Sequence, residues 1–182
     1  MIITATIKNK KINSFDYGLD MKIPIGNSIN IDFALNPDFS QVEADVSQIT
    51  ANNTFAIFFE ERRPYFNEGN DIIETELNTV YTRAVNKPLL STKIISQGEN
   101  QRFYWLTAFD EASPYLIAGE NRSYFGEGKA AFSNIFRYQR NYDQGSNIGF
   151  LTTNRVFRDG GYGHTIGVDG LLRFKKSYTA SF

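Results

Sequence analysis

The sequence predicts an all-β, antiparallel fold, and three observations carry that prediction. The first is composition. The chain has 17 Asn against 12 Ala and 10 Leu, and 16 Phe with 10 Tyr. Asn favours turns, Ala and Leu favour helices, and aromatic residues favour strands. The second is a strict period of two between positions 14 and 35. The third is length, since several candidate strands are about twice the usual 5–6 residues.

The elements follow in chain order. Phe15, Tyr17, Leu19, Met21, Ile23 and Ile25 alternate with Ser14, Asp16, Gly18, Asp20 and Lys22. A turn at Pro24-Ile25-Gly26-Asn27 follows, and then Ile29, Ile31, Phe33 and Leu35 alternate with Ser28, Asn30, Asp32 and Ala34. Two alternating runs joined by a Gly-Asn turn predict a β-hairpin. Residues 36–78 break the pattern, with a short helix expected within 47–59 and a dense charge cluster over 60–71. An irregular stretch of this length in a compact domain is usually functional or disordered. Its aromatics, Phe55, Phe58, Phe59, Tyr65 and Phe66, argue against disorder. Strands are expected again at 80–85, 89–96, 102–109, 129–140, 146–157, 163–175 and 177–182, separated by Gly-, Asn- and Asp-containing linkers.

Other counts exclude function classes. With no Cys there is no disulfide, thiol nucleophile or Cys-based metal site. A net charge of -1 lacks the basic bias of a nucleic-acid binder, so nucleic acid is not an expected partner. The single His164 rules out mechanisms that need two imidazoles. No Ser lies in a G-x-S-x-G elbow, and the Gly-rich stretches at 126–128 and 160–163 lack the strand-to-helix context of a phosphate loop. Nothing in the pattern calls for a cofactor or a metal. No run approaches the ~20 apolar residues of a membrane helix, and the N-terminus does not have the order of a secretory signal. Long strands with one apolar and one polar face suit a transmembrane barrel, whose strands need ~9–11 residues. A soluble lipocalin-like barrel or a β-sandwich alternates in the same way, so pattern alone leaves these open.

Two blocks move the balance. NPDFSQVEAD at 36–45 and FFEERRPYFNEGNDI at 58–72 resemble the signature of a domain-of-unknown-function family of bacterial outer-membrane β-barrel proteins that follow a family-9-like carbohydrate-binding module. Its blocks read roughly NPDF-x-QVEAD and FFPE-K/R-RPFF-x-EG. Glu60 stands where Pro is usual, and Tyr65 where Phe is usual. The runs at 137–155 and 166–174 resemble the family's barrel strands, so the similarity extends over essentially the whole chain. The resemblance implies a (partial) transmembrane β-barrel in the outer membrane of bacteria, largely of the Bacteroidetes type. Residues 1–182 are then one barrel domain or a fragment of one, with 36–78 as an inserted plug-like segment. The family's barrel is longer than this chain. Roughly seven to nine strands just reach the smallest closed barrels, and an open partial sheet is the alternative. The implied partners are membrane lipid, the barrel-assembly machinery and, through the associated module, a glycan. The implied role is structural or transport-related and non-catalytic. Alternatives are a carbohydrate-binding or membrane-associated carbohydrate-processing protein, and a soluble barrel for a small ligand.

The candidate site is the cluster Glu60, Glu61, Arg62, Arg63, Tyr65, Glu68 and Asp71. Irregular backbone at membrane depth survives only when enclosed by protein or lining water. The cluster is therefore expected in the lumen or at the periplasmic rim, with Arg62 and Arg63 paired to Glu60, Glu61 or Glu68, or to Glu43 and Asp45. An ion-paired structural plug is the favoured reading, ahead of a ligand or glycan contact site. A glycosidase carboxylate pair comes third, because spacing in the sequence cannot place two acids across a cleft. Trp105, with Phe103, Tyr104 and Phe109, suits a membrane aromatic girdle or a core better than a sugar-stacking platform. His164 falls on an apolar strand face and is expected to be interfacial rather than catalytic. Tyr178-x-Ala180-x-Phe182 resembles the terminal strand read by the assembly machinery, but given the family's longer barrel the favoured reading is a truncation that happens to stop at an aromatic.

Overall fold

The structure, a computed structural model, describes residues 2–9, 15–37, 39, 60–118, 120, 123–142, 145–175 and 178–182. The short helix expected within 47–59, and the pairing of Arg62 and Arg63 with Glu43 and Asp45, lie outside the described residues.

Among the described residues eleven strands form: β1 (Ile2–Asn9), β2 (Phe15–Ile25), β3 (Ile29–Leu35), β4 (Pro88–Gln97), β5 (Gln101–Asp110), β6 (Pro114–Ala118), β7 (Ser123–Glu127), β8 (Ala131–Tyr142), β9 (Ser146–Phe157), β10 (Tyr162–Phe174) and β11 (Tyr178–Ser181). Nine of them make one sheet in the order β1-β2-β3-β4-β5-β8-β9-β10-β11, while β6 and β7 pair with each other as a separate hairpin. Every neighbouring pair is antiparallel. The predicted all-β class and the 14–35 hairpin are present. The sheet is not closed into a barrel: β1 and β11 are its two edges, and with an odd number of strands they run in the same direction.

The expected strand at 80–85 does not form. Thr82–Ala84 is a 3-10 turn. The carbonyls of Thr82 and Val85, which a strand would offer to a neighbour, instead accept from the Arg63 guanidinium. Three strands were not foreseen. β1 does alternate, Ile3, Ala5 and Ile7 against Thr4, Thr6 and Lys8, but lies outside the expected strands, and β6 and β7 are short.

The connections sort by end of the sheet. At one end three residues each join β2 to β3, β4 to β5, β8 to β9 and β10 to β11. Gly26 (φ 62°) and Gly145 (φ 75°) supply the left-handed backbone there. At the other end lie the longer links: 10–14, 36–87, 111–130 with the β6–β7 hairpin, and 158–161.

The register separates two faces of opposite character. One row runs Leu19, Leu35, Leu90, Phe109, Phe132, Val156, Tyr162 across seven strands. A second runs Ile23, Ile31, Ile94, Trp105, Phe136, Thr152, Ile166. Leu35, Leu90, Phe109, Phe132 and Val156 each expose 41–45% of their surface, and Ile166 exposes 74%. The alternate positions, Asp32, Ala34, Ser91, Lys93, Tyr104, Leu106, Ala108, Ser133, Ile135, Arg137 and Leu151, are buried. The buried face therefore holds most of the sheet's charges, while the exposed face carries the two apolar rows, a polar row of Thr92, Thr107, Asn134, Asn154 and His164 between them, and Arg140.

What covers the charged face is the chain between β3 and β4. Two helical turns, Pro64–Asn67 and Asn70–Ile73, lie there. Pro64 opens the first turn, where its missing N–H costs nothing. Phe66, Ile72, Ile73 and Val85 pack with Ile95, Tyr104, Leu106, Ala108, Ile135 and Leu151 into the core. Gly69 links the turns at φ 80°, and a Cβ there would lie 2.7 Å from Ile95 Cδ1. Glycine thus allows both the left-handed bend and the close approach to the sheet.

Candidate functional site

Two short helical turns leave most of the backbone polar groups of 60–87 without partners of their own, and buried groups of that kind must be satisfied elsewhere. The inward side chains of the sheet supply the partners. Lys93 on β4, 0% exposed, donates to the carbonyls of Tyr65 and Glu68 (3.3 Å to the latter). Arg137 on β8, 2% exposed, donates from Nε to the Ile72 carbonyl at 3.1 Å. Arg155 on β9 reaches the Ala84 carbonyl and the Ser113 hydroxyl. Asp110 on β5 does the converse, accepting the N–H of Asn86 at 2.8 Å and of Lys87 at 2.6 Å. The register places these groups on one face in neighbouring strands, so they meet one continuous stretch of chain.

The charges also pair among themselves. Arg137 makes a bidentate contact with Asp169 on β10, one arm at 2.7 Å. It crosses β9 at Gly149, where any Cβ would strike the guanidinium at 2.5 Å. Lys93 sits 3.2 Å from Asp32 Oδ2 and 3.9 Å from Glu68 Oε2. Among the described residues the Lys93 ammonium is the cation beside the buried Asp32 carboxylate. Lys93 also lies 4.7 Å from the Tyr65 ring centre, a cation–π contact.

The predicted site residues divide three ways. Glu61 and Arg63 form the buried centre of the segment. Arg63, 1% exposed, donates from Nε to Glu61 Oε1 at 2.9 Å and from Nη2 to Oε2 at 2.8 Å. Its backbone N–H and the Thr82 hydroxyl also donate to that carboxylate, at 3.0 and 2.7 Å. Arg63 Nη1 holds the Val85 carbonyl at 2.6 Å, and its Cζ stacks 4.1 Å from the Phe66 ring centre. Burial pushes the Glu61 carboxyl up, but the hydrogen bonds and charge of Arg63, with Thr82, outweigh it and hold the group below its ordinary range. Burial pushes the Tyr65 phenol up, so it stays protonated and donates to Ser91 Oγ at 3.0 Å. Glu68 pairs with Lys22 on β2, and Asp71 with Arg102 on β5. Glu60 and Arg62 are exposed, and the Glu60 carbonyl joins the network, accepting from Arg83 at 2.7 Å.

Trp105 lies on the opposite face, 43% exposed, between Ile94 and Phe136. The structure therefore does not bring it together with the 60–71 cluster. His164 is also on that outer face, its ring 5.1 Å from Tyr162. Lys93, Asp32, Arg137, Asp169, Arg155 and Asp110 were not among the expected site residues. Their only signal in the sequence is a charge at a polar-face position of a strand.

Chemically this arrangement binds chain. Four donors fill the Glu61 carboxylate, leaving no lone pair for general-base work. Among the described residues no group of three His, Asp or Glu side chains gathers as metal ligands. Two outcomes follow. Arg137→Met leaves Asp169 and the Ile72 carbonyl without their donor and should lower stability by about 3 kcal/mol, read from the denaturation midpoint of the folded protein. Unchanged stability contradicts the tether. The Glu61 contribution is fully present above its ordinary value near pH 4.5 and is lost as pH falls through the lowered folded value. Glu61→Gln should therefore flatten the acid limb of the stability profile, and an unaltered limb contradicts the assignment.

Residues 1–104 match the family described as Domain of unknown function (DUF5916). No curated protein and no solved structure matches the chain. The match takes in both sequence blocks and the strands up to the first residues of β5, while β8 to β11 lie beyond it. Covering 104 of the 182 residues, it places this chain in the DUF5916 family.

Proposed function

We propose that this chain forms part of a bacterial outer-membrane β-barrel of structural or transport-related role, without catalysis, in which residues 60–87 plug the inner side. The observation that carries this reading is the inversion of the sheet's two faces. A soluble sandwich or lipocalin-like barrel buries its apolar face and wets its polar one. Here most of the charges are covered, and the two largely aliphatic and aromatic rows are not. Contiguous exposed apolar rows on this scale mark an interaction surface. Alternating apolar-out and polar-in strands of 10 to 13 residues, as in β4, β5, β8, β9 and β10, fit a tilted crossing of the hydrocarbon core. The irregular backbone of 60–87 lies against protein, one of the two settings in which such backbone tolerates membrane depth.

A second reading, glycan binding at Trp105, has the exposed indole in its favour. The cross-strand neighbours of Trp105 are Ile94 and Phe136, which offer nothing to sugar hydroxyls. Lipid is the better match.

Trp105 is the single Trp, so its emission reports this face alone. In vesicles its fluorescence should be blue-shifted, quenched by brominated acyl chains and shielded from aqueous acrylamide. Quenching by acrylamide with no effect of brominated lipid overturns the membrane reading. Relief of acrylamide quenching by a soluble oligosaccharide would favour the glycan reading.

A further inference from the structure

The two ends of the sheet differ, and resting on the membrane reading above, we infer a sidedness: the end with long connections faces the cell exterior, and the end with three-residue turns faces the periplasm. Residues 60–87 are then an exterior loop folded inward.

The first support is the distribution of connections. All four links at one end have three residues, whereas those at the other run from four residues to the 52 between Leu35 and Pro88. Outer-membrane barrels have short periplasmic turns and longer exterior loops. The second is where the covering segment enters and leaves. Asn36 N–H donates to the Leu89 carbonyl at 2.8 Å, and Asn86 and Lys87 end on Asp110, so both stems are anchored at the long-loop end. From there the segment descends the inner face. Glu68 reaches Lys22, three residues before the end of β2, and Asp71 reaches Arg102, the second residue of β5. Below it a cavity of about 170 Å³, lined by Asn27, Ser28, Asn30, Glu68, Ile95 and Gln97, sits at the short-turn rim. Residues 60–87 therefore hang from the long-loop end and reach, at Glu68, the cavity beside the opposite turns. The β6–β7 hairpin also stands at the long-loop end, off the main sheet.

The absence of Cys allows a direct test. Arg158→Cys marks the 158–161 link, Glu99→Cys marks a three-residue turn and Ile166→Cys marks the apolar face; all three side chains are exposed in the protein. Cells carrying each variant of the full chain are treated with a maleimide linked to a polymer too large for porins, before and after the outer membrane is opened. Arg158→Cys should label fully in intact cells, Glu99→Cys only after opening, and Ile166→Cys in neither state until detergent is added. The reverse order at positions 158 and 99, or no labelling of 158 before opening, overturns the sidedness alone. Labelling of Ile166→Cys without detergent overturns the membrane reading, and the sidedness with it.

Discussion

Buried charges that end on backbone are the constraint from which the rest of this structure follows. Residues 60–87 have two helical turns of four residues and one 3-10 turn, too little regular structure to satisfy their own carbonyls and N–H groups. Lys93, Arg137, Arg155 and Asp110 provide what is missing, from four neighbouring strands. Burying such ions is expensive unless they are paired and fully hydrogen-bonded. That cost requires the segment and the sheet face to fit together as one unit. It also explains why the sheet turns its polar face toward the rest of the chain and leaves its apolar face outward.

The inversion gives the DUF5916 domain a physical character that the family description does not state. The apolar core beneath the segment is real but small, built from Phe66, Ile72, Ile73 and Val85 against a few inner-face side chains. Most large apolar residues of the sheet lie on the other side. In water that arrangement exposes rows of aliphatic and aromatic surface, and in hydrocarbon the same surface is at home. The open edges are the exception, because their unpaired N–H and C=O groups need a partner strand or closure before they can meet hydrocarbon. Nine antiparallel strands leave β1 and β11 running in the same direction.

Much of this was legible in the sequence. The period of two placed Lys22 and Asp32 on one face and Leu19, Ile31 and Leu35 on the other, and β9 runs over the predicted 146–157. The Arg63–Glu61 pair lies within the predicted charge cluster, because two residues of one short segment meet with little tertiary help. What stayed hidden depends on register between distant strands. Arg137 and Ile72 are 65 residues apart, and no local pattern brings them together. The 80–85 stretch shows the reverse failure: its apolar residues suggested a strand, but Arg63 takes the carbonyls a ladder needs. Trp105 and the 60–71 cluster both suggested ligand contact, and only the sheet's register shows that they face opposite ways.

The most direct test is a spin-label scan along β5 in lipid vesicles, reading collisions with oxygen and with a water-soluble nickel chelate. The account predicts a period of two. Positions 103, 105, 107 and 109 should meet oxygen and not nickel, and positions 104, 106 and 108 should meet neither. Nickel access at the odd positions, or no alternation at all, would contradict a sheet that carries its charges inside and its apolar face against lipid.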